Sequence, residues 1–276
     1  MKLSCLPVSL YPELSAGRMT PGDWLRLAAA CGLDGADLSV AHVPDRSSTA
    51  LDALRDEAAA AGVSIAMLAT YSDFTQPETA ARAREIADLR GWIAAAQRLG
   101  VALLRVTAGQ AHHGVSAADG IAWAVEGLTS CLAEAEAAGV HLVYENHVRG
   151  AFWQQNDFSQ PAERFLEIVR RTAGTGLGIL FDIANPLVLH DDPIRLLHAV
   201  LPRIGAVHLS DMRAAGVFEP AIIGSGVAPL DQAMRIIAAS GFTGWYSIEE
   251  ASRNGIDGVR QAVKWVRSSY GTTTHL

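Results

Sequence analysis

The chain has 276 residues, 50% of them hydrophobic and 18% charged, with a formal net charge of −7. This is enough for one large core, and the acidic balance argues against a nucleic acid held through its phosphates. No stretch approaches the roughly 20 apolar residues of a membrane span. Three scattered cysteines, Cys5, Cys31 and Cys131, form no CxxC pair; they read as small buried hydrophobes in a reducing compartment, so the cytoplasm is the expected location.

The N-terminal apolar stretch is short and broken by Pro7, and residues 3–10 read as a first strand, not a signal peptide. Thr20 caps the first helix with Pro21 at its first position, and Gly32 closes it. A strand over Gly35–Ser39 leads to a helix capped by Ser47 or Ser48 and ended by Gly62. After a strand at Ser64–Ala69, Pro77 and Glu78 open a long helix that stops at Gly100. Residues 102–107 form the fourth strand; Ser116 then starts a helix that runs to Gly139. Residues 140–146 are the fifth strand, and Ser159 to Glu163 open the fifth helix. Residues 177–182 precede a helix opened by Asp192-Pro193, and Ile204–Leu209 precedes one opened by Pro229 and ended by Gly241. Residues 244–249 and a helix over 256–270 complete the pattern. A glycine just before a strand marks a helix C-terminus that needs positive φ. Eight strands alternating with eight helices, with no linker, predict a single-domain (β/α)8 barrel over 1–276. The absence of GxGxxG after the first strand argues against an open dinucleotide-binding sheet.

Four polar residues end the last four strands: Glu145 in HLVYE, Asp182 in LGILFD, His208 in IGAVH and Glu249 in WYSIE. In such a barrel those ends meet at the face where active sites lie. Three carboxylates gathered there repel one another, and a divalent cation removes that cost. Oxygen donors with one imidazole and no thiolate suit Mn²⁺, Co²⁺, Mg²⁺ or Zn²⁺. The structural alternative is a charge-paired cluster. Glu250 competes with Glu249, because strand alternation turns only one of them inward; Glu249 is the reading adopted.

The phrases VYENH, FDIANP, VHLSD and YSIEE resemble the motifs of the sugar phosphate isomerase/epimerase superfamily, a xylose isomerase-like TIM barrel. The resemblance runs over essentially the whole chain. It implies one divalent metal, Mn²⁺ favoured, held by Glu145, Asp182, His208 and Glu249. It also implies a small sugar or sugar-derived substrate, and it admits a homo-oligomer. In the family's epimerases the two ligand glutamates move protons on opposite faces of the sugar, roles that fall here to Glu145 and Glu249.

The chain departs from the family pattern in three places. Asn185 stands where a DxxH motif would put histidine, the DxH of the nuclease type reads Asp211-Met-Arg213, and Ala151 replaces a further glutamate of the epimerases. These differences count against an apurinic endonuclease-like hydrolase and weaken a plain ketose 3-epimerase. The expected function is a metal-dependent isomerase or epimerase working through an enediolate. The alternative is a dehydratase or lyase acting on a keto-sugar or keto-glycoside. His147, two residues past Glu145, is a candidate acid or base. Asn185, Arg213, Trp153 and His113 are candidates for substrate contact, beside the loop aromatics Tyr11, Tyr71, Phe74 and Phe152.

Overall fold

Short β-branched and leucine-rich runs form eight strands in a computed structural model that describes residues 1–270. They are β1 Lys2–Leu6, β2 Gly35–Ser39, β3 Ser64–Ala69, β4 Leu103–Val106, β5 His141–Glu145, β6 Gly178–Asp182, β7 Ile204–Leu209 and β8 Trp245–Glu249. All the ladders are parallel, in the order β1-β8-β7-β6-β5-β4-β3-β2. The two end strands meet where Asp34 N donates to Leu3 O at 2.9 Å and Ser4 Oγ to Asp37 Oδ2 at 3.2 Å. The sheet thereby curls into a nearly closed barrel.

Helices cover its outside: α1 Tyr11–Ser15, α2 Pro21–Ala30, α3 Ser48–Ala61, α4 Thr79–Leu99, α5 Ala117–Thr129, α6 Leu132–Ala137, α7 Ala162–Arg171, α8 Pro193–Val200, α9 Leu230–Ala239 and α10 Gly255–Tyr270. Their ends follow local chemistry. Thr20 and Asp23 form a reciprocal capping box on α2, and Gly62 and Gly100 close α3 and α4 at φ 74° and 73°. Among the described residues no helix is long and apolar enough to cross a membrane. Residues 271–276 of the expected domain lie outside the described ones.

Two elements differ from the sequence expectation. Residues 3–10 are not one strand. The chain leaves the sheet at Leu6, passes Pro7, which has no N–H to donate to a ladder, and turns through Val8–Leu10 into α1. The helix expected from Ser116 to Gly139 is two helices. At the break, Thr129 Oγ1 donates to Val125 O at 2.7 Å and Ser130 Oγ to Gly127 O at 2.8 Å, so hydroxyls compete for the carbonyls that continue a helix.

Strand alternation divides the core. Outward residues such as Tyr144, Phe181 and Ile248 pack under helical residues including Trp24, Phe165 and Val266. Inward residues Met67, Leu103, Val143, Leu180 and Ala206 fill the lower barrel with Trp245 beside them. Two residues further along the same strands, the inward positions are Arg105, Glu145, Asp182 and His208. The barrel is thus apolar below and charged above, and the period of two alone produces that change.

Candidate metal centre

Parallel register sets the height of each side chain. Asp182 lies beside His208 across β6 and β7, and His208 beside Ser247 across β7 and β8. Glu145, Asp182, His208 and Glu249 thus present donor atoms all within 4.8 Å of one another. Of the neighbouring glutamates, Glu249 joins this group. Glu250 is buried on the other side, where its Oε1 accepts from Ser252 N at 3.1 Å.

His208 Nδ1 lies 2.8 Å from Glu145 Oε1 and 3.3 Å from Glu249 Oε2. Arg105 Nη1 donates to Glu145 Oε2 at 3.0 Å. Asp182 Oδ1 accepts from Ala184 N at 2.9 Å, Asn185 N at 2.7 Å and Ser210 Oγ at 2.7 Å. Among the described residues its Oδ2 has no hydrogen-bond partner, and neither has His208 Nε2. A buried polar atom without a partner is costly and rare. Two of them among converging carboxylate and imidazole donors fit a divalent cation.

The protonation preferences follow from the same contacts. Burial, then Glu249 and Glu145, push the Asp182 carboxyl well above its ordinary range. Burial pushes Glu145 upward too, but the Arg105 guanidinium and the His208 ring outweigh it and hold that carboxyl low. Burial would lower His208, yet Glu145 and Glu249 keep it well above the usual imidazole range. Protons and Arg105 thus offset three converging negative charges, as a cation would.

A cavity of about 460 Å³ opens beside Glu249, with Tyr11, Tyr71, Arg105, His147 and Arg149 on its walls. Glu249 is the member of the four that reaches it, with 22% of its side chain exposed against 1% for Glu145. The hydroxyls of Tyr11 and Tyr71 are 3.3 Å apart, and the exposed Phe152 stacks on Tyr11. A smaller neighbouring recess takes in His147, Asn185, Ser210 and Glu249.

His147 is therefore brought to the site. Its Nδ1 is 3.4 Å from Asp157 Oδ2, and its ring meets Trp153 edge to face with centroids 5.5 Å apart. Asn185 lies beside the centre, with Nδ2 donating to Asn146 O at 3.1 Å. Three expected contact residues take other positions. Trp153 is packed behind His147 and lines neither cavity. Arg213 is exposed because the Met212–Pro220 bridge turns its loop outward, and it pairs with Glu219 at 3.0 Å. His113 is exposed in a turn, while its neighbour His112 holds Asp73 at 2.8 Å. Phe74, expected near the pocket, is fully buried against α5. Asp211, at the position of the nuclease DxH, accepts from the N–H groups of Met212, Gly224, Gly226 and Ala228 and serves the loop.

Arg105 is the residue that sequence reasoning missed. Its signal was an arginine inside the apolar run LLRV, two residues from the inward Leu103. The side chain is 2% exposed, stacks over Tyr71 at 4.9 Å and leaves Nε without a partner among the described residues.

Comparison with known proteins agrees with this architecture. Residues 25–269 match the family model described as a xylose isomerase-like TIM barrel. An inosose dehydratase of Bacillus thuringiensis (strain Al Hakam) is 26% identical over 133 residues; the match covers 42% of this chain and 42% of that protein, less than half of either. The zinc-bound IOLI protein superposes with TM-score 0.81 at 18% identity, covering 100% of both chains. A D-psicose 3-epimerase of Clostridium cellulolyticum H10, solved with D-tagatose, superposes with TM-score 0.78 at 16% identity and 98% coverage of each chain. The barrel, the matched length and the four strand-end residues agree: the chain belongs to the xylose isomerase-like TIM-barrel family.

Proposed function

We propose that this chain is a divalent-metal-dependent isomerase or epimerase that moves a proton beside the carbonyl of a keto-sugar. The observation that carries the reading is the pair Glu145 and Glu249, both on His208 Nδ1, with the buried Asp182 Oδ2 unpartnered beside them. Glu145, Asp182, His208 and Glu249 would hold the ion, Mn²⁺ favoured over Co²⁺, Mg²⁺ and Zn²⁺. When bound, it supplies Lewis-acid polarisation of a carbonyl oxygen and lowers the cost of an enediolate.

The residues divide the remaining work. Glu249 reaches the cavity and takes the proton from carbon. Glu145 is buried and tied to Arg105, which weakens it as a base. Proton return falls to Glu145 or to His147, which lines the same cavity. Return to the neighbouring carbon gives isomerisation; return to the other face gives epimerisation. Tyr11 and Tyr71 offer hydroxyls and aromatic faces that suit a sugar, and Asn185 is placed to bind a hydroxyl. Three thiols without disulfides fit a reducing cytoplasm.

A lyase reading is favoured by two specific features. Ala151 lines the cavity where the epimerases usually carry a glutamate, and His147 is backed by the buried Asp157. Loss of a β-leaving group would use the same proton abstraction, with His147 as acid. The partial similarity to an inosose dehydratase supports this second possibility.

The deciding experiment incubates the Mn²⁺-loaded protein with a panel of ketoses and keto-glycosides in D₂O. Deuterium at carbon, with sugars interconverted, is the expected result. A new ultraviolet absorbance from a conjugated double bond would move the assignment to the lyase. Glu249→Gln should cut exchange by about 100-fold or more without unfolding the chain. Undiminished exchange in that variant would remove Glu249 from the mechanism.

A further inference from the structure

The cavity wall carries three arginines, Arg105, Arg149 and Arg253, against one lining carboxylate, Glu249. In a chain of net charge −7 this local surplus runs against the whole. On the reading above, one divalent ion and Arg105 balance the three carboxylates of the centre. Arg149 and Arg253 remain. Among the described residues Arg149 Nη2 donates only to the Trp153 carbonyl, at 3.3 Å. The Arg253 side chain has no carboxylate partner among the described residues. In the same cavity, the buried Arg105 Nε is a further donor without an acceptor among the described residues.

The position of Arg253 is built. Its φ of 66° is left-handed, one of two such non-glycine residues described, a conformation that residues other than glycine rarely adopt. Its N–H donates to Ser9 Oγ at 2.8 Å, which ties the loop after β8 to the loop after β1. Guanidinium forks match carboxylate and phosphate oxygens better than neutral hydroxyls. Two cationic forks lining one cavity also concentrate anions there.

We propose that the substrate carries an anionic group, a carboxylate or a phosphate, which Arg149 and Arg253 bind while its keto-polyol end reaches Glu249. This proposal rests on the metal-dependent reading for what happens at that end, but its test requires no turnover. The full chain is titrated calorimetrically with three polyols of one carbon skeleton: glucitol, gluconate and glucitol 6-phosphate. At least one anion should bind roughly tenfold or more tightly than glucitol, and which one does identifies the source of the charge. The double variant Arg149→Gln, Arg253→Gln should bring that anion down to the level of glucitol. Equal binding of all three, no binding of any, or a preference that survives the double variant would overturn the proposal. Mn²⁺ titrated into the same samples reports on the four-residue centre separately. An anion preference without Mn²⁺ binding would fail the metal reading and leave this one standing; the reverse result would do the opposite.

Discussion

Arg105 is a permanent cation enclosed within a strand, and its burial is tolerable because Glu145 Oε2 lies 3.0 Å from Nη1. Deleting one partner of a buried pair strands the other charge, which costs about 3–5 kcal/mol. Arg105→Met should destabilise the metal-free protein by that amount in urea denaturation. Saturating Mn²⁺ should recover part of the loss, because the ion supplies positive charge beside Glu145. A loss of the same size with and without Mn²⁺ would separate Arg105 from the centre. The four strand-end residues were legible in the sequence because each is a lone polar group closing an apolar run. Arg105 was less legible, because it sits inside such a run. Arg213 and His113 lie outside the cavity because strand period ends with the strand: what turns Arg213 outward is a bridge between Met212 and Pro220, which no local pattern announces. The choice of Glu249 over Glu250 likewise needed the register, which Leu6↔Glu249 and Leu209↔Ile248 set.

At the scale of elements, α5 shows how a helix accepts aromatic groups from the loops at the barrel mouth. Its glycines are sockets. A Cβ on Gly120 would lie 2.4 Å from the Phe158 ring, and one on Gly127 2.2 Å from the Phe74 ring. Gly127→Ala gains about 1 kcal/mol of helix propensity but forces the ring of a wholly buried phenylalanine to move, and overpacking costs about 1–3 kcal/mol. The clash should win, and the urea midpoint should fall with an unchanged slope. A midpoint at or above that of the parent would mean that the loop after β3 yields freely. The sequence showed helix starts and stops well, because caps and glycines act within one turn. It did not show the break between α5 and α6, where Thr129 and Ser130 redirect their hydroxyls onto carbonyls within the helix. Nor did it show that Phe74 packs outward, since a loop aromatic has no period from which a direction can be read.

For the whole molecule, the barrel brings together strand ends that are distant in the chain and leaves three carboxylates around one imidazole. An unfolded chain has no such site, so an ion that binds here binds the folded state and shifts unfolding by mass action. At a hundredfold excess over its dissociation constant, that linkage is worth about 2.7 kcal/mol. For a barrel of this size it should raise Tm by about 5 °C. The control is Asp182→Asn, which removes the charge while an amide oxygen can still accept from Ala184 N and Asn185 N. Its Tm should be nearly insensitive to Mn²⁺, although its fold is kept. If Mn²⁺, Co²⁺, Mg²⁺ and Zn²⁺ all leave the parent Tm unmoved, the cluster is a charge-paired structural centre made by Arg105, Glu145, His208 and Glu249. Asp182 Oδ2 and His208 Nε2, both without a partner among the described residues, weigh against that outcome, because they belong to the same four-residue cluster, where one ion would satisfy donors that charge pairing leaves open.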